Sequence, residues 1–387
     1  MPKVNCPLGQ LADARLAEGP EGDHPQAAHL ELLLARTVDG RPRHPRGDAV
    51  GDHDHVGVPD QRRHVAFLDL GAEGLEPVAH LPPRPAQAAA DDKDRSVQGS
   101  SPPVVGDELD RDVLDDLPVT HGEPPVGIWA TTRRAALARL NHFVEHELTR
   151  FGPYEDAMTS GSWSLAHSVL SPYLNLGLLM PDEVCERVEE AYRSGAVPIN
   201  SAEGFIRQVI GGREYVWGLY WLWPDHADSN VLNHRRHVPP AFTGEAKTEM
   251  ACVADTLDGL NQRAWVHHIP RLMVLGNLMT LCEIRPQAAH RWFMEMFVDS
   301  SEWVMGPNVY GMGLFSDGGI FATKPYICGS NYLLKMSDYK KGDWCDTVDG
   351  LYWRFIDKHR DFFSGNPRLA LMPSALDRLY SQRLKRI

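Results

Sequence analysis

Two hydroxyl side chains precede a proline in a stretch with helical spacing near the middle of the chain. Ser168 and Ser171 stand just before Pro172, and proline is favoured in the first turn of a helix. Hydroxyls and free backbone amides at such a position bind anions, phosphate among them. An ordinary helix N-cap has the same residues, so the pattern indicates either an anion site or a simple helix start.

A histidine pair forms a second candidate site. His267 and His268 closely precede Arg271. Histidine exchanges protons near neutral pH, which suits it to acid–base chemistry. A single buried histidine is usually a packed core residue, whereas a pair beside an arginine favours a functional site. The acidic, aromatic segment 297–304 is a candidate partner for the charge of Arg271.

The elements that must position these residues have the apolar spacing of helices. No alternation of strands and helices and no glycine-rich dinucleotide motif occurs. The sequence therefore predicts a mainly α domain. Its helices are expected from Thr131 to Pro153, from Pro181 to Gly195, from Ser201 into 216–223, and over 247–266, 271–282, 286–298 and 350–363.

Composition divides the chain into two unlike parts. All ten Trp and all eleven Tyr lie in residues 129–387, and Phe67 is the one aromatic residue before them. The first 128 residues have a net charge of −11, and the remaining 259 have a net charge of −2. A single uniform globular fold is therefore excluded.

The N-terminal part shows neither helical nor strand periodicity. It contains 16 of the 29 prolines, and a segment so poor in large side chains cannot offset the entropy of its own ordering. We expect residues 1–126 to be disordered or translated out of the native frame, and residues 127–387 to form the helical domain.

Apolar runs and cysteines indicate the cellular compartment. No apolar run is long enough to span a bilayer, and the N-terminus lacks the features of a secretory signal. The six cysteines are scattered without a C-x-x-C pair, which argues against a disulfide scaffold or a zinc ribbon. We expect a cytoplasmic protein with no membrane contact.

Nine strings in the helical part follow one another in an order that is typical of a known family. They are 151–158, 170–179, 203–208, 267–273, 302–304, 307–308, 317–319, 335–339 and 351–353. Over residues 127–375 the sequence resembles the catalytic half of the cryptochrome/photolyase superfamily. The branch it resembles most is the bacterial (6-4) photolyase-related group, which usually carries an iron–sulfur cluster.

The resemblance implies a U-shaped FAD held within the helical domain. The family positions that hold its pyrophosphate and ribityl region correspond to Tyr154, His167, Ser168, Leu170 and Ser171.

Other matched positions would surround the flavin ring. Gln208 and Arg213 would border it, and Met305 would face its N5 atom. Arg271 and Asp299 match the family's salt-bridged pair beside the ring. An arginine there favours an anionic reduced flavin, because its charge offsets the developing negative charge.

Four residues match positions that serve catalysis in the family. His268 corresponds to the residue that donates a proton or a hydrogen bond to a (6-4) lesion, with His267 beside it. Trp292 would relay electrons to the flavin, and Trp265 would border the lesion pocket. The implied chemistry is light-driven electron transfer from reduced FAD into a lesion flipped out of UV-damaged DNA.

The sequence departs from the family at the cluster and upstream of the helices. Four cysteine thiolates hold the cluster in the family. In this sequence only Cys252 matches one of these four positions. Lys340 and Asp343 occupy the two positions of the C-x-x-C pair, and Asp346 lies near the fourth cysteine position. We expect neither a metal site nor an iron–sulfur cluster. Residues 1–126 lack the strands of the α/β domain that binds the antenna, so no antenna pigment is expected.

Taken together, these matches predict a photolyase-like flavoprotein that repairs UV-damaged DNA of the (6-4) type as a carbon–carbon lyase. It is expected to act as a monomer. Two alternatives stay open at this point. One is a cryptochrome-like blue-light receptor without repair activity, and the other is an inactive truncated product.

Overall fold

Proline and glycine residues divide the helical half into short segments, and the structure follows these divisions closely. The structure, a computed structural model, describes residues 121–122 and 127–379. The prediction for residues 1–126 therefore lies outside the described residues, apart from positions 121 and 122.

The first helical stretch agrees with the predicted Thr131–Pro153 to within two residues at each end. Helix α1 (Arg133–His142) begins after Thr132, whose hydroxyl accepts a hydrogen bond from the main-chain nitrogen of Ala135 at 3.3 Å. It continues through a wide, π-type turn (Phe143–Glu147) into α2 (Leu148–Tyr154), which includes Pro153.

Proline inside a helix removes one main-chain donor, and a neighbouring helix replaces it here. The hydroxyl of Ser201 donates to the carbonyl of Thr149, four residues before Pro153, at 3.2 Å. The two helices approach closely at Gly152, where an added Cβ would lie 2.9 Å from the main-chain nitrogen of Ser201. Proline is thus tolerated, and glycine is required.

The next helices follow the first candidate site along the chain. They are α3 (Ser171–Asn175), α4 (Pro181–Arg193) and α5 (Ile199–Ile206), which passes through a wide turn (Arg207–Gly212) into α6 (Arg213–Leu222). Gly195, with φ of 79°, follows the end of α4 in the left-handed conformation that glycine adopts readily.

The remaining helices form the central and C-terminal parts. They are α7 (Ala251–Arg263), a wide turn (Pro270–Gly276) leading into α8 (Asn277–Leu281), α9 (Pro286–Met296), α10 (Glu302–Gly306) with a wide turn (Pro307–Gly313), α11 (Ser330–Lys335), α12 (Asp343–Lys358), α13 (Arg360–Gly365) and α14 (Leu371–Asp377).

The predicted helix 350–363 was wrong in its bounds. Helix α12 begins at Asp343, because the acidic residues Asp343 and Asp346 in its first turn favour the helix N-terminus. It ends at Lys358, because φ of −108° and ψ of 30° at His359 interrupt the helix before α13.

Buried apolar side chains form a large central core and a second core under α1 to α5. The central core contains side chains of α7, α8, α9 and α12, and the second is built around Phe143, Leu148 and Phe205. The described part of the chain contains no β-strand, only an isolated bridge between Arg236 and Ile284. The mainly α prediction is confirmed.

Candidate functional site

A buried ion pair between Arg271 and Asp299 lies at the centre of the site. Two parallel hydrogen bonds of 2.9 Å join Nη1 to Oδ1 and Nη2 to Oδ2. The Asp299 side chain is 3% exposed and the Arg271 side chain 18%. Such bidentate pairs are strong and directional, and this geometry fixes both side chains in one orientation.

Two side chains of α3 hold the carboxylate and the main chain of Asp299. The hydroxyl of Ser171 donates to Oδ2, and the amide of Asn175 donates to the main-chain oxygen of Asp299 at 2.7 Å. Ser171 and Asn175 are four residues apart, so they share one face of the short helix. The indole nitrogen of Trp265 donates to the Ser171 hydroxyl at 3.2 Å.

Local backbone and an aromatic ring hold the guanidinium of Arg271. Arg271 lies in the wide turn Pro270–Gly276, and its Nε donates to the carbonyl of Val266 at 2.7 Å. The ring of Phe297 lies 4.3 Å from the guanidinium carbon, within range of a cation–π interaction. All three polar nitrogens of the guanidinium are therefore engaged.

The predicted anion site before α3 has its serines engaged within the protein. Ser171 donates to Asp299, and the Oγ of Ser168 accepts from the main-chain nitrogen of Leu170 at 3.4 Å. Leu170 is 1% exposed and packs in the core under α1 to α5. Tyr154, also predicted here, is half-buried at the end of α2.

Two histidines stack beside the ion pair. The rings of His167 and His267 are 3.9 Å apart between centroids and are inclined by 16°. The two nitrogens of His167 lie 3.1 Å from the carbonyl of Ser164 and 3.0 Å from that of Glu155. Burial lowers the pKa of His167 to about 4 and that of His267 well below its usual value. Both rings are therefore neutral at pH 7.

His268 differs from these two because its side chain is exposed to solvent. Desolvation by the surrounding protein nevertheless lowers the pKa of His268 to about 4, and the positive charge of Arg271 lowers it further. An accessible but neutral imidazole suits hydrogen bonding to a molecule that enters from solvent.

The residues predicted to surround the flavin ring have partners within the protein. The amide of Gln208 donates to the carboxylate of Glu155 at 2.7 Å. The guanidinium of Arg213 lies 4.8 Å from the ring centroid of Trp303. Met305 is buried in the central core at 5% exposure.

Trp292 lies in an aromatic cluster next to Arg271. Its indole nitrogen donates to the carbonyl of Phe242 at 2.8 Å, and its ring is 5.2 Å from that of Phe293. Phe297 is 6.2 Å from Trp292 and also contacts Arg271, so it links the cluster to the ion pair.

The described cysteines are mostly buried thiols. Burial raises the pKa of Cys252 to about 12, so this residue is protonated at pH 7. Within residues 121–122 and 127–379, no group of three or more His, Cys, Asp or Glu side chains is arranged to hold a metal ion. Over the same residues, no helix is both long and apolar enough to cross a membrane.

Sequence reasoning missed several partners in the site. Asn175 was detectable, because it stands one helical turn after Ser171. Glu155 and Ser164 contribute main-chain carbonyls to His167, and Trp303 covers Arg213. A main-chain carbonyl leaves no signal in the residue type, so these contacts depend on the fold.

The sequence of the chain is similar to those of known proteins. No protein-family model matches the chain. Over 284 residues, or 70% of the chain, the sequence is 40% identical to a (6-4) photolyase of Agrobacterium fabrum, and it spans 56% of that protein's length. It is also 50% identical over 100 residues to an uncharacterized protein of Acanthamoeba polyphaga mimivirus, covering 26% of this chain and 81% of that one.

A solved structure is also similar to the chain. It is a bacterial class III photolyase from Agrobacterium tumefaciens, with a TM-score of 0.45 and 18% sequence identity. The similar region covers 65% of this chain and 57% of that one.

Proposed function

Because the chain belongs to the cryptochrome/photolyase superfamily, we propose that its helical part binds FAD and repairs (6-4) lesions in UV-damaged DNA. Reduced FAD, when bound, would supply the electron that light transfers into the lesion. The buried Arg271–Asp299 ion pair, with three neutral histidines beside it, is the observation that carries the proposal.

Several buried polar atoms are suited to hold such a coenzyme. Arg213 Nε, His267 Nδ1 and Ser164 Oγ find no hydrogen-bond partner among the residues that the structure describes. Buried polar groups are normally satisfied, so these atoms fit a polar ligand. A set of arginine, histidine and serine donors matches the phosphates and ring carbonyls of a flavin dinucleotide.

Arg271 would place a fixed positive charge next to the flavin ring. Asp299, Val266 and Phe297 leave the guanidinium one orientation. A fixed cation stabilises negative charge that develops beside it, without the cost of reorganising solvent. We propose that Gln208, Arg213 and Met305 complete the surroundings of the ring, and that Tyr154, His167, Ser168, Leu170 and Ser171 line the rest of the coenzyme.

His268 would act on the lesion itself. Its pKa of about 4 makes it neutral at pH 7, and a neutral imidazole donates one N–H. Negative charge developing on a bound lesion would raise the pKa of the adjacent imidazole, so that the hydrogen bond strengthens as the electron arrives. We propose that His267 supports this group and that Trp265 forms a wall of the lesion site.

Trp292 would begin the path by which the flavin is reduced. It lies beside Phe297, which contacts Arg271. Its other ring neighbours are Phe242 and Phe293, which are much harder to oxidise than tryptophan or tyrosine. We therefore expect slow reduction of the flavin along this path.

A repair assay on the full chain, loaded with FAD, tests the proposal. An oligonucleotide with a single (6-4) lesion is expected to lose it under blue light and to keep it in the dark. His268→Ala should lower the repair rate about 100-fold or more, the usual effect of losing a general acid. Flavin absorbance should stay unchanged in this variant.

The control is His237→Ala, which removes an exposed histidine outside the site and should repair normally. Repair by His268→Ala at the unaltered rate would remove this residue from its role. A purified chain that neither contains nor takes up FAD would overturn the proposal as a whole.

A further inference from the structure

A cavity of about 250 Å³ opens between the C-terminal end of α6 and the first residues of α10. None of the residues predicted for flavin or lesion binding lines it. Its principal side chains are Tyr220, Trp221, Trp223, His226, Glu302 and Tyr310.

The tryptophans at this cavity are unusually accessible. Trp221 is 63% exposed, Trp223 is 39% exposed, and Leu222 between them is 61% exposed. Tryptophan is mostly buried in soluble proteins, and adjacent exposed apolar side chains mark binding surfaces. The cavity therefore has apolar walls that are open to a ligand.

Several side chains of the cavity wall contact neighbouring groups. The rings of Tyr220 and Trp221 are 5.4 Å apart and nearly perpendicular, at 79°. The ring of Tyr310 stacks on His290 at 4.9 Å, which holds it from behind. His226 is held by a hydrogen bond of 2.9 Å to the buried carboxylate of Asp317. These contacts orient Tyr220, His226 and Tyr310 in the lining of the cavity.

The charge around the cavity is negative. Glu302 lines it with a side chain that is 56% exposed, and no lysine or arginine is among the described residues of its lining. Burial lowers the pKa of His290, whose Nε2 lies 3.7 Å from the carboxylate of Glu302.

The negative charge at the cavity also affects the phenol of Tyr310. Burial, followed by the carboxylates of Glu302 and Asp228, raises its pKa to about 12. A phosphate group would be repelled here, which argues against a DNA strand as the occupant. A positively charged group would be attracted both by Glu302 and by the faces of the aromatic rings.

We propose that this cavity binds a small organic ammonium ion. Tyrosine and tryptophan rings around one carboxylate are the surroundings that quaternary ammonium groups prefer. The volume is below that of most drug-sized pockets, which measure roughly 300–1,000 Å³, and it suits a trimethylammonium head with its chain directed into solvent. The same head occurs on free choline-like molecules and on trimethylated lysine side chains of proteins.

Isothermal titration calorimetry on the full chain tests the proposal with choline and with a short peptide containing trimethyl-lysine. At least one of them should bind saturably at one site. The neutral isostere of choline, in which carbon replaces nitrogen, should bind about tenfold more weakly, because it lacks the cation–π attraction. Tighter binding of choline assigns a free ion, and tighter binding of the peptide assigns a protein side chain.

Two variants locate the binding in this cavity. Trp223→Ala and Glu302→Gln should each weaken binding of the preferred probe about tenfold, with unchanged denaturation midpoints. Glu186→Gln, an exposed carboxylate on α4, is the matched control and should bind like the original chain. Equal binding of the neutral isostere, no binding of either probe, or unaltered binding by both variants would overturn the proposal.

Discussion

Polar and aromatic groups are buried at one site of the molecule and exposed at another. The first site is the ion pair of Arg271 and Asp299, and the second is the cavity at Trp221 and Trp223. At the ion pair, each charged atom has a partner and the aromatic rings are buried. At the cavity, the tryptophans are exposed and the carboxylate of Glu302 faces solvent. The first arrangement fixes geometry, and the second leaves surface available to a ligand.

The difference follows from the cost of burying charge. A buried carboxylate without a partner is strongly destabilising, so Asp299 has to be fully satisfied by its neighbours. Glu302 keeps its water, so it does not need a partner and can interact with a cation that arrives. The ion pair therefore holds the site residues in place, whereas the cavity keeps its carboxylate and two tryptophan rings accessible.

The largest effect on stability is expected from Asp299→Asn. It leaves the guanidinium of Arg271 buried without a counter-charge, which costs about 3–5 kcal/mol of unfolding free energy. Denaturant unfolding measures this change. The control is Asp377→Asn at the exposed pair with Arg360, where a much smaller loss is expected because water screens exposed charges. Equal losses in the two variants would contradict the assignment of the ion pair as the organising element.

A smaller effect is expected when a single ring is exchanged in each region. Trp292→Phe removes the donor to the Phe242 carbonyl, and a buried acceptor left without a partner costs about 1–3 kcal/mol. Trp221→Phe changes an exposed ring and should alter the unfolding free energy by less than about 0.5 kcal/mol. Thermal unfolding compares the two. A larger loss in Trp221→Phe than in Trp292→Phe would show that the exposed ring of Trp221 stabilises the fold.

Acid is also expected to destabilise the protein. His167 and His268 have pKa values near 4 in the folded protein, whereas unfolded histidine titrates near 6.5. Between pH 6.5 and 4 the unfolded chain therefore binds protons that the folded chain does not, and stability falls as the pH falls.

Scanning calorimetry at pH 7 and pH 5 checks this expectation. The Tm should be lower at pH 5, and the difference should shrink in His268→Ala, which removes one of these groups without opening the core. A Tm that is the same at both values, or an unaltered difference in the variant, would show that these histidines titrate alike in both states.

Helix positions followed from the sequence where local residues decide them. Pro181 and Gly195 bound α4 as predicted, because proline fits a first turn and glycine adopts the left-handed conformation after a helix. The end of the first helix was predicted at Gly152 and Pro153, and it lies one residue later, at Tyr154. The contact with Ser201 that allows Pro153 inside α2 comes from a distant part of the chain.

In the candidate site, too, local residues were predictable from the sequence and long-range contacts were not. Arg271, Asp299 and the histidine pair were singled out from residue type and from the family resemblance. The stack of His167 on His267 and the bond from Ser171 to Asp299 join residues about 100 or more positions apart. No local pattern encodes such contacts, because they depend on how helices pack.

By itself, the sequence determined the helical class and the starts of several helices, α4 and α9 among them, because apolar spacing and capping residues act over a few positions. Only the tertiary structure decided which side chains are paired, which are neutral and which face solvent. Burial sets the pKa of each histidine and the need of each carboxylate for a partner, and burial is a property of the packed molecule.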